Sequence, residues 1–532
     1  MAGWNQLPAE IRRLVFDYFL LGIDLRADRY ARARAASVCR EWQGYFEWVN
    51  FETLLVDQDR LQDLEGIVGY HPRRQARVRT ISMRVRLDEY DCSECMAEED
   101  HATSKRNEHI FVNALFHLLL ILSKWEPRKS SPGIDLDLGV YSPSDGQHGL
   151  RDFRLSEGYD ILPSHDGLYL DERLDMAYQY HHSTASQSNL SCPGWSATRR
   201  EGLNLQGGKR LVATVGDGLP LCVRVRDPRG RLIKPPKVGV LTSLAIRRQY
   251  YRHISCRIVS KVLRESMVNV RQVRYETWEL LDSWSHTRLQ RDICRLLSDL
   301  LPMNLCSIHL FQESNPILYA FGPRWPRPPI VKLGALLAEL ARNLKEVSAS
   351  FLVDACNFFT PIDPSIPGWK EVLQTTPFFA KLEHLALTTH IISEGSSMMA
   401  LEKVLISAGA AALYRMPCLK IMEVWEFSPR FDEAYVFRIE IGEAVKLKVY
   451  TGLLFHMSFT LFDELERMSL DAMPKKAFVA KQVLWQPELL SFYEPLSVLK
   501  LRNKLLHPLS LSQIRHEHGL VHLQSQDVRR WW

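Results

Sequence analysis

Apolar positions recur at helical spacing twice within the first fifty residues. Ile11, Leu14, Val15 and Tyr18 stand at i, i+3, i+4 and i+7, which predicts one apolar stripe on a short helix. Phe16, Phe19 and Leu20 widen that surface beyond one face. Pro8 suits the first helical position, where an N–H would have no intrahelical partner, and Glu10 in the first turn favours the helix dipole. Ala35, Val38, Cys39, Trp42 and Phe46 repeat the spacing, and GIDLRADRY forms a turn around Gly22 between the two segments. These helices carry more apolar surface than they can hide by themselves. The pattern fits a docking module over residues 1–56, and it fits equally the cap of a larger core.

Further along, a second pattern takes over: Leu or Val, two residues, an apolar residue, one residue, another apolar residue. It reads Val270-Val273-Tyr275, Leu305-Ile308-Leu310, Leu344-Val347-Ala349, Leu382-Leu385-Leu387 and Leu419-Met422-Val424. The first residues are spaced by 35, 39, 38 and 37. Helical segments such as CRLLSDLL and LGALLAELARN precede the pattern, and prolines (Pro302, Pro377, Pro417) stand just before several copies. Each unit reads as helix, tight turn and short strand. In LEHLAL, period-two alternation turns Leu385 and Leu387 inward and His384 and Ala386 outward. Such a unit cannot bury its own apolar face, so units must stack. Val78-Ile81-Met83 is an earlier copy, and IDLDLGVY (Ile134–Tyr141) a further strand. The predicted fold class is α/β: a small all-α module followed by an irregular leucine-rich-repeat-like helix–strand solenoid with long loop insertions. The regular Asn or Cys ladder of such repeats is missing, which argues against a smooth horseshoe.

Composition narrows the class. Of 532 residues, 46% are hydrophobic and 24% charged, an ordinary globular balance. The net charge of +5 is small, and the basic residues are dispersed, which argues against a nucleic-acid binder. The ten cysteines lie mostly apart and in apolar runs, as reduced thiols do, and MAGWNQLPAE has neither the basic nor the apolar region of a secretory signal. The run Phe111–Leu122 is too short to span a bilayer. The expectation is a cytoplasmic or nuclear protein with no membrane partner.

LPAEIRRLVFDYF followed by SVCREW resembles an F-box, with both halves in order over about fifty residues. The resemblance implies binding to a Skp-type adaptor, and through it to the cullin of a cullin-RING ubiquitin ligase. By position it places Leu7, Pro8, Ile11 and Leu14 against the adaptor, with Val38 contributing from the later helix and Trp42 holding the module together. Full burial of each Leu or Ile is worth roughly 1.5–3 kcal/mol, so a handful of anchors suffices for an interface. The Arg-rich connector (Arg26, Arg29, Arg32, Arg34) departs from the family pattern. It reads as a solvated face, with contact to an acidic adaptor surface as the alternative. YDCSECMAEED, YSPSDGQH, VLTSLAIRRQYYRHIS, VRYETW, MPCLKIMEVWEF and AYVFRIE resemble landmarks of a fungal F-box protein family whose large C-terminal domain has no known function. That resemblance implies a receptor architecture and supplies no substrate.

Other motifs fall short of chemistry. Cys92-Ser-Glu-Cys95 with His101 and His109 offers half a zinc site in an acidic loop, and a plain surface loop is the better reading. His516, His518 and His522 fit a polar helix end. LQGGKRL lacks the first glycine and the closing hydroxyl of a phosphate loop, since Leu203 and Arg210 stand there. Gly194-Trp-Ser196 lacks the closing glycine of a nucleophile elbow. No cofactor and no metal is expected. The domains are read as 1–56, 57–470 with a loop-rich insertion about 141–237, and 471–532 as terminal cap and tail. The functional expectation is a non-catalytic substrate receptor of an SCF-type ligase that binds an unidentified target protein. A repeat scaffold without a ligase role is the alternative, and a cryptic hydrolase or transferase ranks third.

Overall fold

A computed structural model describes residues 4–22, 30–127, 133–146, 195–196, 199–200, 205–217, 234–248, 250–299, 304–313, 329–360, 362, 368–372, 378–428, 433–452, 457–484, 493–511 and 513–514. Most of the expected insertion at 141–237, together with His516, His518 and His522, lies outside them. So do Arg26 and Arg29 of the connector.

Three short helices open the chain: α1 (Ala9–Gly22), α2 (Ala31–Ala36) and α3 (Arg40–Glu52). The chain then builds a twelve-stranded sheet, in addition to two small two-stranded ones. Its strands are β1 (Thr53–Val56), β2 (Thr80–Arg86), β3 (Ile134–Tyr141), β4 (Leu241–Ile246), β5 (Gln272–Trp278) and β6 (Ser307–Glu313). They continue as β7 (Glu346–Asp354), β8 (His384–Thr388), β9 (Ile421–Ser428), β10 (Glu433–Ile441), β11 (Val445–Thr451) and β12 (Phe478–Leu484). Neighbours in the sheet follow chain order from β1 to β12. Pairing is parallel from β1 to β9, antiparallel through β9–β10–β11, and parallel again at β11–β12.

Parallel neighbours need crossovers, and helices supply several of them. They include α4 (His101–Ser123), α5 (Leu205–Leu211), α6 (Cys256–Glu265), α7 (Ser283–Asp299), α8 (Val331–Ala341), α9 (Met398–Arg415) and α10 (Phe459–Ala472). Their starts are marked in the sequence. Asp100 accepts the Thr103 N–H before α4, Ser255 the Arg257 N–H before α6, and Ser397 the Ala400 N–H before α9.

The recurrent apolar triplets are the core. All three apolar positions of every copy, from Val78-Ile81-Met83 to Leu419-Met422-Val424, are buried. They stack in register: Ile81, Leu136, Leu244, Val273, Ile308, Val347, Leu385 and Met422 are successive cross-strand partners. Helix side chains such as Leu115, Val262, Leu337 and Leu405 close over them in the same cluster.

The opposite face departs from expectation. Its central row runs Ser82, Asp137, Ala245, Arg274, His309, Ser348, Ala386, Glu423 and Arg438. Alternation predicts that Ala386 faces outward, yet it is buried, as are Glu423, Arg438 and Arg274. The cause is the C-terminal segment, in which α11 (Tyr493–Val498) and α12 (Arg502–Leu505) lie across this face. Leu496, Leu499, Leu501, Leu505, Leu506 and Ile514 pack with Phe311, Ala386, Trp425 and Val436. Glu423 accepts the N–H groups of Lys500 and Leu501, both at 3.0 Å. Arg274 donates to the Asn503 carbonyl at 3.0 Å, and Glu276 accepts from the His507 N–H at 2.5 Å. The region read as a terminal cap therefore divides: residues 478–484 extend the sheet, and residues 493–514 cover its middle.

Candidate docking surface

The N-terminal helices close around aromatic rings. Phe16, Ala35 and Phe46 are buried, with Trp4, Leu20, Ala36, Trp42 and Tyr45 packed against them. Phe16 meets Trp4 at 5.4 Å, Trp42 at 5.2 Å edge-on and Tyr45 at 4.8 Å between ring centroids, and Trp42 stacks on Phe46 at 5.5 Å. Polar groups pin the rim of this cluster. Trp4 Nε1 donates to Glu41 at 2.8 Å, Arg12 pairs with Glu41 at 3.2 Å, and the Tyr45 hydroxyl donates to Asp17. Burial and the neighbouring Asp17 carboxylate push the Tyr45 phenol well above its ordinary range, so it stays protonated as a donor.

The stripe that the sequence spacing picks out faces the other way. Ile11 is 42% exposed, Leu14 50% and Val38 62%. Val15, Tyr18 and Phe19 are exposed beside them, Pro8 is exposed and Leu7 half-buried. Pro8 sits one residue before α1, and its carbonyl accepts the Arg12 N–H at 3.1 Å, which starts the helix. Each residue expected at the adaptor thus lies on α1, at its entry or just before α3. Sequence reasoning assigned no contact to Val15, Tyr18 or Phe19, although the same i, i+3, i+4 rule marks Val15 and Tyr18. Trp42 packs among the module's rings. Of the connector arginines, Arg32 is half-buried and Arg34 exposed.

The module joins the sheet without a linker. Glu52 ends α3 and Thr53 begins β1, and the Arg79 N–H just before β2 donates to the Glu52 carbonyl at 2.8 Å. Glu47 on α3 pairs with Arg74 at 2.9 Å and Arg77 at 3.2 Å, and Arg74 lies over the Phe51 ring. Burial pulls the Glu47 carboxyl upward, but hydrogen bonds from Gln43 and Arg74 with the Arg77 charge hold it below its ordinary range.

Two of the other motifs weighed for chemistry lie among the described residues. The Cys95 thiol, buried, donates to the Cys92 carbonyl at 3.3 Å. Among the described residues no group of three or more His, Cys, Asp or Glu could hold a metal ion. LQGGKRL is helix α5, where Lys209 pairs with Glu98 and Arg210 donates to the Ala97 carbonyl at 2.8 Å. A cavity of about 490 Å³ opens between α4, α6 and α7 and is lined in part by His253 and Cys256. Burial pushes the Cys256 thiol up to about 12, so it remains a protonated, poor nucleophile. Burial and then His286 lower His253 to about 3, which keeps that ring neutral. Its Nδ1 lies 2.8 Å from the Thr277 hydroxyl.

Residues 300–454 match a family of unknown function, DUF6546, over a span from just before β6 to just after β11. No curated protein and no solved structure matches the chain. No helix among the described residues is long and apolar enough to cross a membrane.

Proposed function

We propose that this protein is the substrate-recognition subunit of an SCF-type cullin-RING ubiquitin ligase. In this reading α1 to α3 are an F-box that binds a Skp-type adaptor through Leu7, Pro8, Ile11, Leu14 and Val38, with Val15, Tyr18 and Phe19 enlarging the contact. The adaptor tethers the chain to a cullin. The sheet and its helices are an irregular leucine-rich-repeat-like solenoid that holds a target protein. The chain itself performs no chemistry and accelerates transfer by proximity. The setting is the cytoplasm or nucleus.

One observation carries the reading: an apolar stripe stays in solvent while the same helices bury a separate aromatic cluster. A stripe needed for folding would be buried, whereas one kept outside a finished core fits a partner. The strand order and the in-register triplets support the repeat architecture.

The test mixes the full chain with a purified Skp-type adaptor on a sizing column. Co-elution is expected, and it should vanish for the Leu7→Ala/Pro8→Ala pair while the thermal transition stays in place. Co-elution that survives in the double variant removes the ligase reading. Failure of the wild-type chain to bind the adaptor would favour the alternative, a repeat scaffold without a ligase role.

A further inference from the structure

Among the described residues, the last strand of the sheet has a neighbour on one side only. β12 pairs with β11 on one side and ends the strand order on the other. The Val445 N–H donates to the Ala477 carbonyl at 2.9 Å, and Val445 pairs with Phe478 in a parallel register. In such a ladder alternate residues bond to each side. Val479, Lys481 and Val483 therefore turn their backbone groups toward β11. Phe478, Ala480, Gln482 and Leu484 turn theirs outward. The strand is exposed over most of its length, Val479, Ala480, Lys481 and Leu484 included.

Basic residues crowd this edge, although Glu440 on β10, which pairs with Lys500, stands opposite Lys446. Lys446 and Lys448 on β11 share a face with Lys481 on β12, and Lys475 and Lys476 stand in the turn that leads into β12. Lys448 and Lys481 are direct cross-strand partners, an arrangement that costs stability unless a counter-charge approaches. None of these five lysines makes an ion pair among the described residues, in contrast to Lys420, Lys500 and Lys504, which pair with Glu383, Glu440 and Glu346.

We propose that β12 is a strand-addition site for an extended, acidic segment of a partner protein. Main-chain bonds to Ala480 and Gln482 would supply affinity, and a carboxylate beside Lys448 and Lys481 would supply sign selectivity. Outward N–H and C=O groups that no described strand engages, set in strand register, call for a polypeptide backbone. A second copy of this chain is a poor occupant, because its own edge repeats the lysine and edge lysines discourage like edges from pairing. The site deepens the receptor reading by naming where a target sits. It lies at the opposite end of the strand order from α1–α3, and its test contains no adaptor, so the two readings fail separately.

The probe is a short fluorescein-labelled peptide of alternating valine and glutamate, titrated with the full chain and followed by anisotropy. Saturable binding is expected, at least about tenfold tighter than for the same peptide with lysine in place of glutamate, a difference of about 1.4 kcal/mol. Ala480→Pro removes an outward N–H and spares the ladder to β11, since an edge strand tolerates proline. This variant should keep its circular dichroism and thermal midpoint and lose binding. Lys448→Gln/Lys481→Gln should weaken binding several-fold and flatten its salt dependence, and it decides the matter if the proline variant does not fold. Absence of saturable binding, or a folded Ala480→Pro variant that binds as wild type, overturns the proposal. A concentration-dependent dimer that Ala480→Pro dissociates would assign the edge to a second copy and also overturn it.

Discussion

At the scale of single residues, the decisive groups are the charges buried on the polar face of the sheet. Glu423 and Arg438 pair at 2.5 Å with almost no exposure, and Glu423 also caps two backbone N–H groups. Such a pair adds little net stability, but breaking it strands a charge, at a typical cost of about 3–5 kcal/mol. Glu423→Ala should therefore lower the urea midpoint by an amount in that range, and Glu423→Gln by less, because an amide still accepts one N–H bond. Two buried histidines contribute to the pH dependence. Burial holds His253 at about 3 against an ordinary 6.5, and burial with Arg274 and Lys504 holds His309 well below the ordinary value. Below about pH 6.5 the unfolded chain binds protons that the folded chain refuses, so stability falls as pH drops through the window from 6.5 toward 3. His253 contributes a slope approaching about 1.4 kcal/mol per pH unit there, and His309 acts in the same direction. His253→Gln should remove one share of that slope in urea titrations at pH 6.5, 5.5 and 4.5.

At the scale of elements, α1 holds two kinds of apolar residue that the sequence does not separate. Phe16 is buried among rings, while Leu14, two residues earlier, is half in water. Phe46→Ala should cost about 3–5 kcal/mol and loosen the module, as judged by near-ultraviolet dichroism of the Trp4–Trp42 cluster. Leu14→Ala should shift stability by no more than about 0.5 kcal/mol, as a surface change does. Equal losses would mean that both residues serve the core. The triplet strands were legible because burial on one face imposes period two, and every copy finds its register partner. The first N-terminal helix was legible from its spacing, but the segment read as one second helix breaks after Ala36 into α2 and α3, with Cys39 extended between them. The covering of the other face was not: alternation turned Ala386 outward, yet it is buried, as are Glu423 and Arg274 in the same row. No local pattern announces that a distant segment will bring backbone groups to satisfy them. The antiparallel turn-back through β10 likewise breaks the recurrence, since its hairpin has no crossover helix to mark it.

At the scale of the whole molecule, the C-terminal segment changes how the sheet should open. A stack of units that touch only their neighbours unravels from its ends. Here residues 496–514 bridge strands that are not neighbours, from Arg274 and Glu276 on β5 to Arg438 on β10. They also meet Ser348 on β7, whose hydroxyl donates to the Lys504 carbonyl at 3.0 Å. The strands beneath this strap should open together, and those outside it should open at lower free energy. Native-state hydrogen exchange should find the slowest amides in β6 to β9, with faster exchange in β1 and in the exposed β12. Leu505 is fully buried at the centre of the strap. Truncation to alanine there should cost about 2–5 kcal/mol. It should lower protection in β6, β7, β8 and β9 by the same amount, although Leu505 belongs to none of them. Loss confined to the strand nearest Leu505 would mean that each unit opens alone and that the segment is a passive cover. Uniform loss would make the middle of the sheet one cooperative block, set between the strand that follows α3 and a last strand with no described outer neighbour.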